Sequence, residues 1–229
     1  KEQGFEEDVA LAISEHYFPI GFEGVVPKKP ISLAVALVDK IDFLVGFFGL
    51  NLKPTSSKDP FALRRSAIGL LRIIIENKLH IKLKDLINYS LNIYEDQNIK
   101  FENKNTFQDL MIFLKERFKY LLKDKNIRSD IIAAADMSRN YDDFYSIYTK
   151  CSVMNKNISK DICKNIIGTY KRVSNIIVHK LKDQDKEIMG QPETYLFKKD
   201  EEKNLFNKIN EIRQYFLTTK KRESYDETL

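Results

Sequence analysis

PISLAVALVDKIDFLVGFFGL, residues 30–50, is the most apolar run in the chain, and whether it lies in lipid or in protein decides the fold. Its length is close to the roughly 20 residues that cross a bilayer. Asp39, Lys40 and Asp42 interrupt its middle, where charge is most costly in hydrocarbon. Pro30 at its start and Gly49 at its end suit a helix that begins and stops within a protein interior. The run therefore predicts a buried helix of a water-soluble domain, and no membrane segment is expected.

Outward from this run the pattern stays helical. Apolar residues recur at steps of three and four over 6–17, 31–48, 60–77, 83–94, 107–123, 128–138, 141–154, 160–181 and 200–217. No stretch alternates with period two, and no Asn-Gly or Asp-Gly turn marks a hairpin. The expected fold is all-α. Thr106 followed by Asp109 approximates a capping box ahead of Phe107, Leu110, Met111, Leu114, Phe118, Leu121 and Leu122. Residues 95–105 (EDQNIKFENKN) are polar and turn-rich, and predict a linker between two helical units, 1–94 and 95–229. The charged tail from Lys220 is expected to fray.

A chain of 229 residues with 43% hydrophobic and 11% aromatic side chains fills a real core. Its 38 basic and 33 acidic residues leave a net charge of +5, too mild to establish nucleic-acid binding without regard to where the charges lie. Cys151 and Cys163 form no CxxC pair, and no secretory leader is expected. A reducing, cytoplasmic setting and plain packing cysteines are the expectation. The start at lysine instead of methionine suggests a piece of a longer chain.

Enzyme chemistry finds little support. His16, His80 and His179 stand on separate segments without a partner at metal-ligand spacing, and no serine elbow or glycine-rich phosphate loop occurs. His16 reads as a helix-end residue and His179 as a solvated or ligand-facing one. Asp39 and Asp42, three apart on one helix, would bind a cation or act as an acid and base pair; the plainer reading is that they pair with Lys40 or a nearby arginine.

Cationic surfaces are the stronger signal. In KPTSSKDPFALRR, residues 53–65, Asp59 is placed to cap a helix and Pro60 to occupy its first position. Free N–H groups at that start, beside Lys53 and Lys58, make ordinary phosphate-holding geometry. Arg64 follows, and Arg65 and Arg72, seven apart, share a face with the small Gly69 between them. The alternative is that these arginines pair with carboxylates of neighbouring helices. Along 160–181, Ile166, Ile167, Tyr170, Val173, Ile177 and Leu181 form an apolar stripe expected to face inward. Lys164, Gly168, Lys171, Asn175, His179 and Lys182 fall on the opposite side, flanked by Arg172 and Lys180. Such a face suits a phosphate backbone, with Tyr141, Tyr145 and Tyr148 as possible stacking partners for unpaired bases.

Several runs carry a resemblance. EDVALAISEHYFP, LAVALVDKIDFLVGFFGLNLKPTSSKDPFALRRSAIGLLRIIIE, FLKERFKYLLKDKNIRSDIIAAA, YKRVSNIIVHK and ETYLFKKDEEKNLF closely resemble, in order, the beta-subunit family of bacterial two-subunit glycyl-tRNA synthetases. The resemblance implies a non-catalytic part of a glycine-tRNA ligase. In that family an alpha subunit makes the glycyl adenylate from ATP with Mg, and the beta subunit carries tRNA-binding modules in an alpha2beta2-type assembly. Residues 1–94 would then be the last part of a His-Asp-type helical domain, and 95–229 much of a helical anticodon-binding domain, incomplete at its C-terminus.

By the same resemblance, glycine tRNA and the alpha subunit are the partners. Lys58, Arg64, Arg65, Arg72, Lys164, Lys171, Arg172, Asn175, His179 and Lys182 are the tRNA-contact candidates, and no catalytic residue, metal or cofactor is expected in this chain. Asp39 resembles the final aspartate of the His-Asp pattern, yet no His-Asp dipeptide occurs in the sequence. A metal-dependent phosphohydrolase is accordingly a secondary expectation, as is a scaffold that docks the alpha subunit.

Overall fold

The computed structural model describes residues 4–21, 23–136, 142–182 and 192–219, except for the side chains at 136, 180–182, 216 and 219. Tyr141 and the tail from Lys220 lie outside the described residues. The fold is all-α: α1 (Glu7–Glu15), α2 (Pro30–Gly49), α3 (Leu63–Glu76), α4 (Leu83–Asp96), α5 (Thr106–Asp124), α6 (Ser129–Asp136), α7 (Phe144–Asn157), α8 (Asp161–Lys182) and α9 (Asp200–Thr219), with a 3-10 turn at Thr194–Leu196 before α9. No strand occurs among the described residues. No described helix is long and apolar enough to cross a membrane.

The apolar run became α2, and its neighbours follow from its composition. Ala36, Leu37, Ile41, Leu44, Val45 and Phe48 are buried on it, and α1, α3, α4 and α5 all pack against it. A helix apolar around most of its circumference is stable in water only when several elements cover it. Helix α3 is the deepest of these, with Leu63, Ala67, Ile68, Gly69, Leu70, Leu71, Ile73, Ile74 and Ile75 buried. Helix α5 buries the predicted stripe from Leu110 to Leu122. Phe118 of α5 meets Phe144 of α7 edge to face at 4.9 Å.

Four helix ends repeat one device. Asn51, Lys78, Asn98 and Asn126 adopt left-handed φ of 56° to 59° just beyond α2, α3, α4 and α5. At each, that residue's N–H bonds the carbonyl three back, and the next N–H, from Leu52, Leu79, Ile99 or Ile127, bonds the carbonyl five back. This double bond satisfies carbonyls that a helix end otherwise leaves orphaned, and asparagine tolerates the backbone it needs.

Two expected helix starts are corrected. Pro60 does not open α3; the helix begins at Leu63, after Ala62 at φ 56°. Asp59 still caps it, reaching forward so that Oδ1 accepts from Leu63 N (2.8 Å) and Oδ2 from Arg64 N (3.0 Å). The capping box at Thr106 is absent, because the Asp109 carboxylate is engaged elsewhere, by Lys53 Nζ and Asn103 Nδ2. Thr106 Oγ1 instead donates to Asn103 O.

Contacts divide the chain into two compact units, Lys1–Asn155 and Lys156–Leu229. Residues 95–105, predicted as a linker, lie within the first. They are tied to the end of α2: Asn103 N donates to Gly49 O (3.0 Å), Asn103 Nδ2 to Phe48 O (3.1 Å), and the Phe101 ring lies directly over Gly49.

A methyl group at Gly49 would sit 2.3 Å from Phe101 Cδ1, which is not a sustainable contact. Gly49→Ala is expected to destabilise the protein by about 1–3 kcal/mol in denaturant melts, and Phe101→Ala in the same chain should relieve part of that loss. Strictly additive losses would show that the ring is not what forbids the methyl. At Lys78, whose side chain is exposed, glycine should relieve most of the left-handed penalty of about 1–2 kcal/mol, for a net gain of about 0.5–1 kcal/mol.

Candidate nucleic-acid interface

The basic candidates divide into those spent inside the fold and those left to solvent. In the loop before α3, Thr55 N donates to Lys58 O and Lys58 N to Thr55 Oγ1, which closes the turn and holds the Lys58 side chain exposed. Arg64 folds back: its Nη2 donates to Thr55 O, and its Nη1 lies 3.9 Å from Asp59 Oδ2. Lys53 Nζ is paired with Asp109 Oδ2 at 2.5 Å, and this lysine together with Asn103 holds the Asp109 carboxyl below its usual range. Arg72 is only 12% exposed and donates from Nε to Glu76 Oε1 at 2.7 Å, one turn along α3. The first basic cluster therefore keeps Lys58 and Arg65 as its exposed members, while Arg64 and Arg72 brace the fold.

Gly69 does not open a face for an anion. It is buried, and a Cβ there would meet Lys40 Cε at 3.0 Å and Pro19 Cδ at 3.5 Å. The missing side chain makes room for Lys40, which is 6% exposed and donates from Nζ to Tyr17 O (3.1 Å), just beyond the end of α1. Burial pushes the Lys40 ammonium below its ordinary pKa, partly opposed by the Asp39 charge. Asp42 faces the Tyr94 hydroxyl; burial, then a hydrogen bond to this carboxylate, raises that phenol to about 12. The two aspartates thus have separate surroundings, and among the described residues no group of three or more His, Cys, Asp or Glu is placed to hold a metal ion.

The other histidines also serve local structure. His16 caps the end of α1, its Nδ1 2.6 Å from Ile13 O. Nδ1 of His80 donates to Asp143 Oδ2 (3.0 Å), and Ser146 Oγ donates to the same oxygen (2.7 Å) while Ser146 N bonds Oδ1. Serine and carboxylate share one imidazole nitrogen here, so the arrangement fastens the start of α7 and is not a proton relay. Cys151 is buried, with its thiol pKa raised by desolvation, and both cysteines are free thiols.

On α8, Lys171, Arg172, Asn175 and His179 are exposed, and none has a hydrogen-bond or ion-pair partner among the described residues. Lys164 is exposed and pairs with Asp161 at 3.0 Å, a surface contact worth little. Lys182 closes the helix; its side chain, like those of Lys180 and Leu181, lies outside the described residues.

The expectation that the apolar stripe of α8 turns inward is overturned. Ile166 is 62% exposed and Tyr170 72%, and Ile167, Val173 and Ile177 are also open. A stripe is buried only where another element presents a matching apolar face. In the same unit, α9 leaves Leu205, Ile209, Ile212 and Tyr215 exposed as well. Tyr170 therefore joins Lys171 and Arg172 on the accessible surface, a role hidden by its place in the stripe. Tyr145 and Tyr148 are half-buried instead: Tyr145 meets the His80 ring edge to face at 4.8 Å, and Lys125 Nζ lies 5.9 Å from the Tyr148 ring centroid.

Replacing Lys40 by methionine retains most of the packing against Gly69 and removes the buried charge. The folded-state pKa is depressed, so the wild-type penalty for burying the charge is absent above the unfolded value of 10.5 and grows as pH falls toward the folded value. Below that the penalty is constant. Denaturation across alkaline pH should show the wild type gaining stability relative to Lys40→Met as pH rises toward 10.5. A difference that stays flat over that range would contradict the depressed value.

Residues 1–136 match the family model described as glycyl-tRNA synthetase beta subunit. The chain is 40% identical over its whole length to a glycine-tRNA ligase beta subunit of Rickettsia canadensis, covering 32% of that protein. It is 31% identical over 93% of its length to the corresponding protein of Clostridioides difficile, covering 30% of it, and 35% identical over 76% to that of a Ruegeria species, covering 24%. The chain thus spans about a third or less of the curated relatives it matches. Helix α8 lies beyond the family-model match but within the alignment to the Rickettsia relative.

Proposed function

The chain belongs to the glycyl-tRNA synthetase beta-subunit family, and from that premise we propose that it holds glycine tRNA in register while another polypeptide aminoacylates it. The supporting observation is the accessible face of α8, where Lys171, Asn175 and His179 recur every four residues beside Arg172 and the exposed ring of Tyr170. Side chains one turn apart on a rigid helix are spaced to follow a phosphate backbone, and an exposed tyrosine offers a surface for an unpaired base. Lys58 and Arg65, on the first unit, are a second set of phosphate partners.

On this reading residues 1–94 end a His-Asp-type helical domain and 95–229 contribute to an anticodon-binding domain, acting in the cytoplasm beside an alpha subunit. ATP and Mg chemistry resides in that alpha subunit, and no step of it is assigned to a residue here. Affinity would come largely from counterions released by the basic side chains, so binding would fall steeply with salt.

Filter-binding titrations of the full chain with glycine tRNA at several salt concentrations test this. Lys171→Glu with Arg172→Glu should lower affinity about tenfold or more. Loss of two phosphate contacts should also flatten the slope of log K against log salt by about 1.5 to 2. Unchanged affinity and slope would refute the role given to α8.

A further inference from the structure

The end of α4, the segment after it and the first turn of α5 border an open cleft of about 600 Å³, within the range of small-ligand sites. Its walls combine two kinds of group. Phe101 is fixed by Gly49 beneath it and by Tyr94, 4.8 Å away between ring centroids. Phe107, first in the apolar stripe of α5, is only half-buried where Leu110 and Met111 behind it are buried.

Beside these rings the lining includes Asn98, Lys100, Lys104 and Gln108, all exposed, and none of these side chains has a partner among the described residues. Other lining groups are already satisfied and stiffen the wall. Asn103 Nδ2 is taken by Phe48 O and Asp109 Oδ2, and Thr106 Oγ1 by Asn103 O.

We propose that this cleft accepts one unpaired ribonucleotide of a bound RNA, its base against the Phe107 and Phe101 rings and its phosphate held by Lys100 and Lys104. This inference rests on the RNA-binding reading above and adds a second point of contact, remote in sequence from α8. Flat aromatic walls match the π-face that every base carries, and amide side chains match a base edge. Glu95 also lines the cleft and supplies an acceptor for base N–H groups; with two lysines opposing it, the site keeps the positive charge a single phosphate requires. A purely apolar ligand would leave four polar side chains unmatched, and an acidic peptide would leave the rings unused.

The test uses the full chain and two probes, a single-stranded cytidine tetranucleotide and glycine tRNA, with fluorescence anisotropy as the readout. Lys100→Glu with Lys104→Glu, and separately Phe107→Leu, which keeps apolar packing but removes the ring, should each weaken tetranucleotide binding about fivefold or more. Circular dichroism melts establish that both variants fold. Absence of tetranucleotide binding, or binding unchanged in both folded variants, would overturn the pocket, whatever the tRNA does. Tetranucleotide binding that depends on the cleft, in a chain that does not bind glycine tRNA, would uphold the pocket and overturn the tRNA reading instead.

Discussion

A helix that is apolar around most of its circumference cannot stand alone in water, and the first unit is organised by the need to cover α2. Helices α1, α3, α4 and α5 each take a share of its surface. The buried charge on α2 is Lys40, whose stem lies along the gap left by Gly69 and whose ammonium reaches the Tyr17 carbonyl. Long side chains of this type contribute apolar contact along their length and need only one good acceptor at the tip. The segment most open to misreading as a membrane span is thus the centre of a helical core.

The same economy governs the basic residues. Lys53 neutralises Asp109, Arg64 clamps the loop that leads into α3, and Arg72 pairs along its own helix. A cation committed to a half-buried carboxylate or carbonyl would have to give up that contact before gripping a phosphate, and the group left behind would be unsatisfied. Of the basic candidates, those the fold leaves open to a polyanion are Lys58 and Arg65 on the first unit, where Lys100 and Lys104 are exposed as well, and Lys171, Arg172 and His179, beside Asn175, on the second. The two units differ in kind. The first buries its apolar stripes against one another, whereas the second displays both an apolar and a basic face of α8.

On the proposed reading, function is a matter of placement. The histidines serve as a helix cap, a fastening for α7 and a surface group, and the aspartates of α2 have separate surroundings. Residues 95–105 show how placement follows from capping. They close the ends of α2 and α4 through Asn103, Phe101 and Asn98, and the wall built in doing so borders a cleft lined by exposed polar side chains.

The sequence by itself determined the helices, because periodicity reports which face of a segment avoids water, and their positions were legible to within a few residues. It also determined the family, through long runs such as LAVALVDKIDFLVGFFGL and KDPFALRR. The repeated helix ends also carry a mark in the sequence, asparagine followed by leucine or isoleucine at 51, 98 and 126, but Lys78 takes the same backbone without it. Only the tertiary structure decided which charges were spent. Whether Lys53 meets Asp109 or solvent, and whether Gly69 faces an anion or Lys40, depends on what packs opposite. Periodicity likewise marked the stripe of α8 but not its burial, since a face turns inward only where a second apolar surface meets it, and that partner is not encoded in the helix's own residues.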